Sequence, residues 1–224
     1  MDDAIGSVLT ALDESGKLGE TLVFFISDNG GPQDKNGSDN TPLSGDKGTV
    51  FEGGVRVPFV VQWQGRLPAG KKIDAPVNSL DIPATAAAAA GAKLGSNEKK
   101  IDGIDLIPYI KSEVQGYPHE SLFWRFGTQR AIRQGDHKLR QQGDEPPQLF
   151  NLVNDIGETK DISSEHPELV KKLNAAYTKW NSELAEPLWK TGKSSGKNSA
   201  RASRRAAREN AGERTRKRST IANQ

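Results

Sequence analysis

"TLVFFISDNGG" at residues 21–31 and "LSGDKGTVFEGG" at residues 43–54 decide how this sequence is read. A run of apolar strand formers stops at Asp28-Asn29-Gly30-Gly31, and soon afterwards Lys47 stands in a Gly-x-Lys-Gly-Thr loop. Apolar side chains at consecutive positions predict a strand buried on both faces, the pattern of a central strand in a parallel sheet covered by helices. Ligands of open α/β sheets sit just outside the carboxyl ends of the strands. Asp28 and Asn29 fall at that end and both offer oxygen, which suits a hard cation such as Ca²⁺ or Mg²⁺ rather than a soft metal. Gly30 and Gly31 let backbone approach without a Cβ in the way. The plain alternative is a strand-to-loop turn in which Asp28 and Asn29 cap backbone amides.

Lys47, held by glycine-flanked backbone, suits a compact anion such as sulfate or phosphate, bound through a point charge. The loop lacks the spacing of a phosphate-binding P-loop. An ordinary surface lysine in a turn is the alternative.

Further along, Met1, Ile5, Val8, Leu9 and Leu12 recur at helical spacing, predicting an amphipathic helix that ends between Gly16 and Gly19. Residues 32–42 read as loop, "RVPFVVQWQG" as a second apolar strand, and "SLDIPATAAAAAGA" as a helix capped by Asp81 with Pro83 in its first turn. After "GSNEKK" the composition shifts. "SLFWRFG", "QRAIRQGDHKLRQ" and "PQLFNLV", separated by turns at Gly127, Gly135-Asp136 and Gly143–Pro147, predict an antiparallel meander. "SEHPELVKKLNAAYTKWNSELA" is a last amphipathic helix, with Leu169, Leu173, Ala176, Tyr177 and Trp180 on one face. Beyond Trp189 the Ser/Gly/Lys/Arg-rich sequence lacks the apolar residues to fold and predicts disorder.

Only 34% of the 224 residues are hydrophobic and 27% are charged. The low apolar share comes from the tail rather than from a weak core. Residues 190–224 hold 11 Lys and Arg against 2 Glu, a net of +9, which leaves −7 on residues 1–189 of a chain whose total is +2. A mildly acidic body therefore carries a basic tail. With no cysteine, disulfides, thiolate metal sites and cysteine nucleophiles are excluded. No apolar run reaches the ~20 residues that span a bilayer, and Met1-Asp2-Asp3 opens without a signal-peptide pattern. A strand apolar on both faces needs parallel neighbours, so further strands are expected before Met1.

The pair "SDNGG … PLSGDKGTVFEGGVRVPFVVQWQG" resembles the C-terminal half of the sulfatase family, of arylsulfatase type within the alkaline-phosphatase-like superfamily. "MDDAIGSVLTALDESGKLGETLVFF", "IDGIDLIPYI", "LFWRFGTQRAIRQGDHKLR" and "QLFNLVNDIGETKDIS" extend the resemblance over residues 1–189. The fold it implies is an α/β chain, part of a mixed sheet flanked by helices, followed by a small antiparallel sheet plus helix. The expected domains are residues 1–95 from the catalytic α/β domain, 96–189 as a C-terminal α+β subdomain, and 190–224 as a disordered basic tail. The resemblance implies that Asp28 and Asn29 are metal ligands, usually to Ca²⁺, with Mg²⁺ as the other candidate. It implies that Lys47 contacts the sulfate and serves catalysis. The family's nucleophile is a formylglycine made from Cys or Ser in a C/S-x-P-x-R motif, and neither form of that motif occurs in this sequence.

The sequence also departs from its family. Ser44 stands where many relatives have Arg, Asp46 lies beside Lys47, and His137 replaces a common Trp. Glu52 and Arg56 are read as tying the loop to the sheet, and Arg125 and Gln129 as candidates for the pocket rim. The expected function is the C-terminal portion of a metal-dependent sulfatase acting on a sulfated small molecule or polysaccharide, completed by a missing N-terminal half and inactive alone. The resemblance implies an extracellular or periplasmic location. Two alternatives stay open: a phosphatase or phosphonate hydrolase of the same superfamily, and a non-catalytic protein whose tail binds polyanions.

Overall fold

A computed structural model describes residues 1–92 and 101–188. The expected boundary at residues 95–96 and the basic tail of residues 190–224 lie outside the described residues. Met1–Leu184 form one unit, which holds all the helices and strands among the described residues.

Helix α1 (Asp2–Glu14) starts with two acidic residues, Asp2 and Asp3, which favour the positive end of the helix dipole. It stops where Gly16 takes a left-handed φ of 68° and the Lys17 amide donates back to the Leu12 carbonyl at 2.8 Å, a Schellman closure. A short 3₁₀ turn (Leu18–Glu20) leads into strand β1 (Val23–Ile26), and Trp63 Nε1 donates to the Gly19 carbonyl at 3.0 Å to hold that turn. A single helical turn, α2 (Gln33–Asn36), lies inside the stretch expected to be loop. Helix α3 (Glu52–Val55) precedes strand β2 (Phe59–Gln62).

Within the described residues β1 has an antiparallel neighbour. β1 and β2 pair antiparallel, Val23 opposite Gln62 and Ile26 opposite Phe59, and no parallel partner for β1 occurs among the described residues. Nor is β1 buried on both faces, since Phe25 is 39% exposed. The reason is topological: residues 27–58 turn the chain back through α3, and a returning connection delivers an antiparallel neighbour.

Helix α4 (Asp81–Ala89) has Pro83 in its first turn, but Leu80, not Asp81, occupies its N-cap position. The Asp81 carboxylate instead accepts from the Asn78 amide (2.8 Å) and from the Ile104 amide (2.9 Å), joining the helix to a distant segment. Thr85 continues the lacing, its Oγ1 accepting from the Leu106 amide at 3.0 Å just before helix α5 (Ile107–Ile110).

The meander appears as expected: β3 (Ser121–Phe126), β4 (Gln129–Gln134), β5 (His137–Gln142) and β6 (Gln148–Asn151), each antiparallel to the next. Two-residue connections join β3 to β4 and β4 to β5. Gly135 takes φ 56° there, the positive value that tight hairpins require. Helix α6 (Pro167–Ser182) starts with Pro167 in its first turn, where a missing N–H costs nothing.

Register assigns the two faces of this sheet. Phe123, Ile132, Leu139 and Leu149 lie opposite one another and meet Leu173, Tyr177 and Trp180 of α6. Phe123 and Trp180 stack with centroids 4.8 Å apart. The other face carries Leu122, Arg133, Lys138 and Phe150 in one row and Trp124, Ala131, Arg140 and Gln148 in the next. That face is also covered, and the loop carrying Lys47 covers it.

Candidate functional site

The turn after β1 and the Lys47 loop are both fastened to α3. The Gly30 amide donates to the Gly54 carbonyl at 3.0 Å, and the Gly53 amide donates to the Ser44 carbonyl at 2.8 Å. Backbones approach this closely only without side chains. A Cβ on Gly30 would stand 1.6 Å from the Gly53 carbonyl oxygen, and one on Gly53 would stand 2.3 Å from that of Gly45. The glycines of both motifs thus pack backbone on backbone. Their structural service is to bring residues 28–31 and 44–49 onto one short helix.

Within the first motif, Ser27 Oγ donates to the Asn29 carbonyl at 2.8 Å, and the Asn29 side-chain amide donates to Asp28 Oδ1. Asp28 is exposed and Asn29 half-buried. Asp28 lines an open cleft of about 900 Å³, together with Arg56, Arg133, Tyr109, Trp124 and Lys71. Among the described residues no group of three or more His, Asp or Glu is placed to hold a metal ion. Asp28 and Asn29 offer the oxygen donors a hard cation takes, but two residues fill only part of the six to eight positions of Ca²⁺.

Lys47 crowns a turn closed by the Thr49 amide and Thr49 Oγ1, which donate to the Asp46 carbonyl at 3.0 and 2.8 Å. Its side chain is exposed, and among the described residues it has no ion-pair or hydrogen-bond partner. Lys47 is not on the lining of the cleft that Asp28 faces. α3 therefore unites the two motifs at the level of backbone.

The departures noted in the sequence acquire places. Ser44 Oγ donates to the Gly157 carbonyl at 2.5 Å, so the residue in the position of an expected Arg anchors the loop. Gln129 grips the loop on its other side, accepting from the Val50 amide at 3.2 Å and donating to the Gly48 carbonyl at 2.9 Å. Arg125 donates to Asn181 of α6 at 2.8 Å. His137 opens β5, with its ring 6.5 Å from that of His166.

Sequence reading missed the ionic group under the loop. Glu52, read as a tie, accepts from Lys138 Nζ at 2.8 Å and has Arg133 and Arg56 at 3.9 and 3.8 Å. Glu158 accepts from the Glu52 amide at 2.6 Å and lies 3.1 Å from Lys138 Nζ. Burial pushes the Glu158 carboxyl above the ordinary glutamate range, opposed by Lys138 and by the Glu52 amide. A second buried pair joins Asp81 to His119 Nε2 at 2.9 Å. Burial disfavours the Asp81 carboxylate, but His119 and the amides of Asn78 and Ile104 outweigh it and hold the carboxyl below the usual aspartate range. The sequence signals of the first group were Glu52, read as a tie to the sheet, and Lys138 and Arg140 alternating with Leu139, which reads as a solvated strand face.

Comparison with known proteins agrees with this architecture. Residues 1–92 match the family model Sulfatase. Steryl-sulfatase of Mus musculus is 33% identical over 221 residues, covering 79% of this chain and 35% of its own length. Arylsulfatase A of Bos taurus is 32% identical over 230 residues, covering 83% and 45%. The solved structure of Ps i-CgsB in complex with k-i-k-neocarrahexaose superposes with a TM-score of 0.77 at 34% identity, covering 88% of this chain and 44% of that one. The phosphonate monoester hydrolase of Agrobacterium radiobacter shares the fold, with a TM-score of 0.63 at 20% identity. The fold is the alkaline-phosphatase-like α/β fold of the sulfatases. The chain belongs to the sulfatase family and spans less than half the length of these relatives.

Proposed function

We propose that this chain supplies part of a sulfatase active site: a cation-binding turn at Asp28-Asn29 and a sulfate-binding lysine, Lys47. The observation that carries the reading is an exposed ammonium held on a loop anchored at both ends, in a chain of sulfatase family. Cleavage of a sulfate ester places negative charge on the sulfuryl and leaving oxygens. A bound Ca²⁺ or Mg²⁺ would act as Lewis acid on that charge. Asp28 and Asn29 would hold the cation through oxygen. Lys47 contributes a compact positive charge to the sulfuryl oxygens, and its anchored backbone lowers the reorganisation needed as charge develops. The formylglycine nucleophile has no precursor motif in this sequence, so covalent attack belongs to residues outside it. On this reading the substrate is a sulfated small molecule or polysaccharide, and the site works in an extracellular or periplasmic setting.

The test transplants the segment. Arylsulfatase A of Bos taurus carrying residues 27–56 of this chain in place of its own equivalent should hydrolyse an aryl sulfate. Lys47→Ala in that hybrid should lower kcat/KM by roughly 10²–10³-fold, the scale for losing one charge-stabilising donor. Lys47→Arg should restore only part, because a planar guanidinium does not replace a compact ammonium. A Lys47→Ala hybrid within about twofold of its parent returns Lys47 to an ordinary surface position. Asp28→Ala in the same hybrid should raise the calcium concentration needed for half-maximal activity, and an unchanged calcium requirement would remove Asp28 from the site. Turnover of an aryl phosphate exceeding that of the sulfate would favour the phosphatase reading. The 224-residue chain alone should not hydrolyse the aryl sulfate.

A further inference from the structure

We infer that Lys138, together with Glu52 and Glu158, is a positioning device that fixes the backbone of residues 44–54 and thereby the place of Lys47; the inference rests on Lys47 being the anion-binding residue. Lys138 lies on β5 with its side chain fully buried, and it belongs to neither of the two motifs that carry the site. Its ammonium spans two carboxylates on two separate segments, Glu52 Oε1 at 2.8 Å and Glu158 Oε1 at 3.1 Å. Glu158 closes the circuit by taking the Glu52 backbone N–H on its other oxygen at 2.6 Å. One lysine is thus bound to the first residue of α3 through its side chain directly and through its main chain by way of Glu158.

Two features say that this arrangement is more than filling. Buried charges are costly to desolvate, and apolar side chains of similar size would pack here at lower cost. Glu158 also stands at φ 52°, in the left-handed region that residues with a side chain seldom adopt, and strained backbone of this kind gathers where geometry is being enforced. What the charges add is direction. An apolar contact lets α3 slide over the sheet, whereas an ammonium hydrogen-bonded to Glu52 and ion-paired with Glu158, which itself holds the Glu52 amide, permits one seat.

That seat is shared by the whole loop. Phe51 lies under the Arg140 guanidinium at 3.8 Å, Val50 is 1% exposed, and Ser44 and Gln129 clamp the two flanks of the Lys47 turn. Between these fixed points only the tip at Asp46–Gly48 projects. Lys138 touches neither substrate nor cation; it acts through Glu52 and the backbone.

The experiment measures amide hydrogen exchange across the 224-residue chain, with inorganic sulfate as the probe of Lys47. In K138M/E158Q, which removes one buried charge of each sign, the amides of Glu52, Gly53 and Thr49 should exchange at least about tenfold faster. Amides of α6 should change less than about twofold, since α6 packs on the opposite face of the sheet. Glu158→Gln alone keeps the Lys138–Glu52 pair and should give the same pattern at smaller amplitude, which serves if the double variant does not fold. Sulfate-dependent shifts at Lys47 and Gly48 should weaken in step with the lost protection. A uniform rise in exchange, or none in residues 44–54, overturns the positioning role. Selective loss of protection in a chain whose wild-type form shows no sulfate response keeps the positioning device and instead overturns the reading of Lys47.

Discussion

Asp81 shows at the scale of one residue how little a local rule decides. The sequence makes it the cap of its own helix, yet its carboxylate faces backward to Asn78 and outward to Ile104 and His119. The local sequence could not show this, because both outer partners lie more than twenty residues away. Its ionised form is favoured in the fold, so its carboxyl titrates below the unfolded value of about 3.9. The stability this contributes is fully present above that value and is lost as pH falls through the folded value. Asp81→Asn should cost about 1–3 kcal/mol at neutral pH, since one buried acceptor becomes a donor without a partner. It should also reduce the steepness with which the urea midpoint falls below about pH 4, the unfolded aspartate value. Asp155 and Asp161, also held low, keep part of that slope. An acid limb identical to that of wild type would show that the pair does not act through charge.

At the scale of the element, short pieces placed by glycine contact matter more than long regular ones. α3 is a single turn, yet it holds both functional motifs because Gly30, Gly53 and Gly54 admit backbone where a side chain would stand. Gly30→Ala puts a methyl group 1.6 Å from the Gly53 carbonyl oxygen, so α3 must move. The expected cost is about 3 kcal/mol. Gly6→Ala in α1 meets nothing within 4 Å and removes a glycine from a helix interior. It should stabilise by about 0.5–1 kcal/mol. Chemical denaturation of both variants checks the contrast, and equal effects would refute the contact argument. The meander and α6 were legible in sequence because turn glycines and helical periodicity are local signals. The antiparallel direction of the β1–β2 pair was not legible, because an apolar run reports burial without reporting strand direction.

For the molecule as a whole, charge is divided unequally: residues 190–224 carry +9 and the remainder −7. No helix among the described residues is long and apolar enough to cross a membrane. The tail should hold sulfated polymers through counterion release and long-range attraction, an effect screened over about 8–10 Å at physiological salt. The full chain should therefore elute from heparin resin at higher salt than a chain ending at residue 189. Equal elution salt would leave the tail as a solvated terminus.

The sequence by itself determined the sulfatase family, the meander, the last helix and the two motifs, since each rests on residue types at short spacing. It also named the residues of the candidate site: an oxygen-rich turn at Asp28-Asn29 and a lone cation at Lys47. Tertiary structure alone decided what anchors the loop beneath that cation. Lys138 and Glu158 lie 86 and 106 residues from Glu52 along the chain. Charges on a strand read as solvated until the fold lays another segment across them. One face of the meander is apolar and meets α6, the other carries Arg133, Lys138 and Arg140, and what covers those charges is a property of packing rather than of any stretch of sequence.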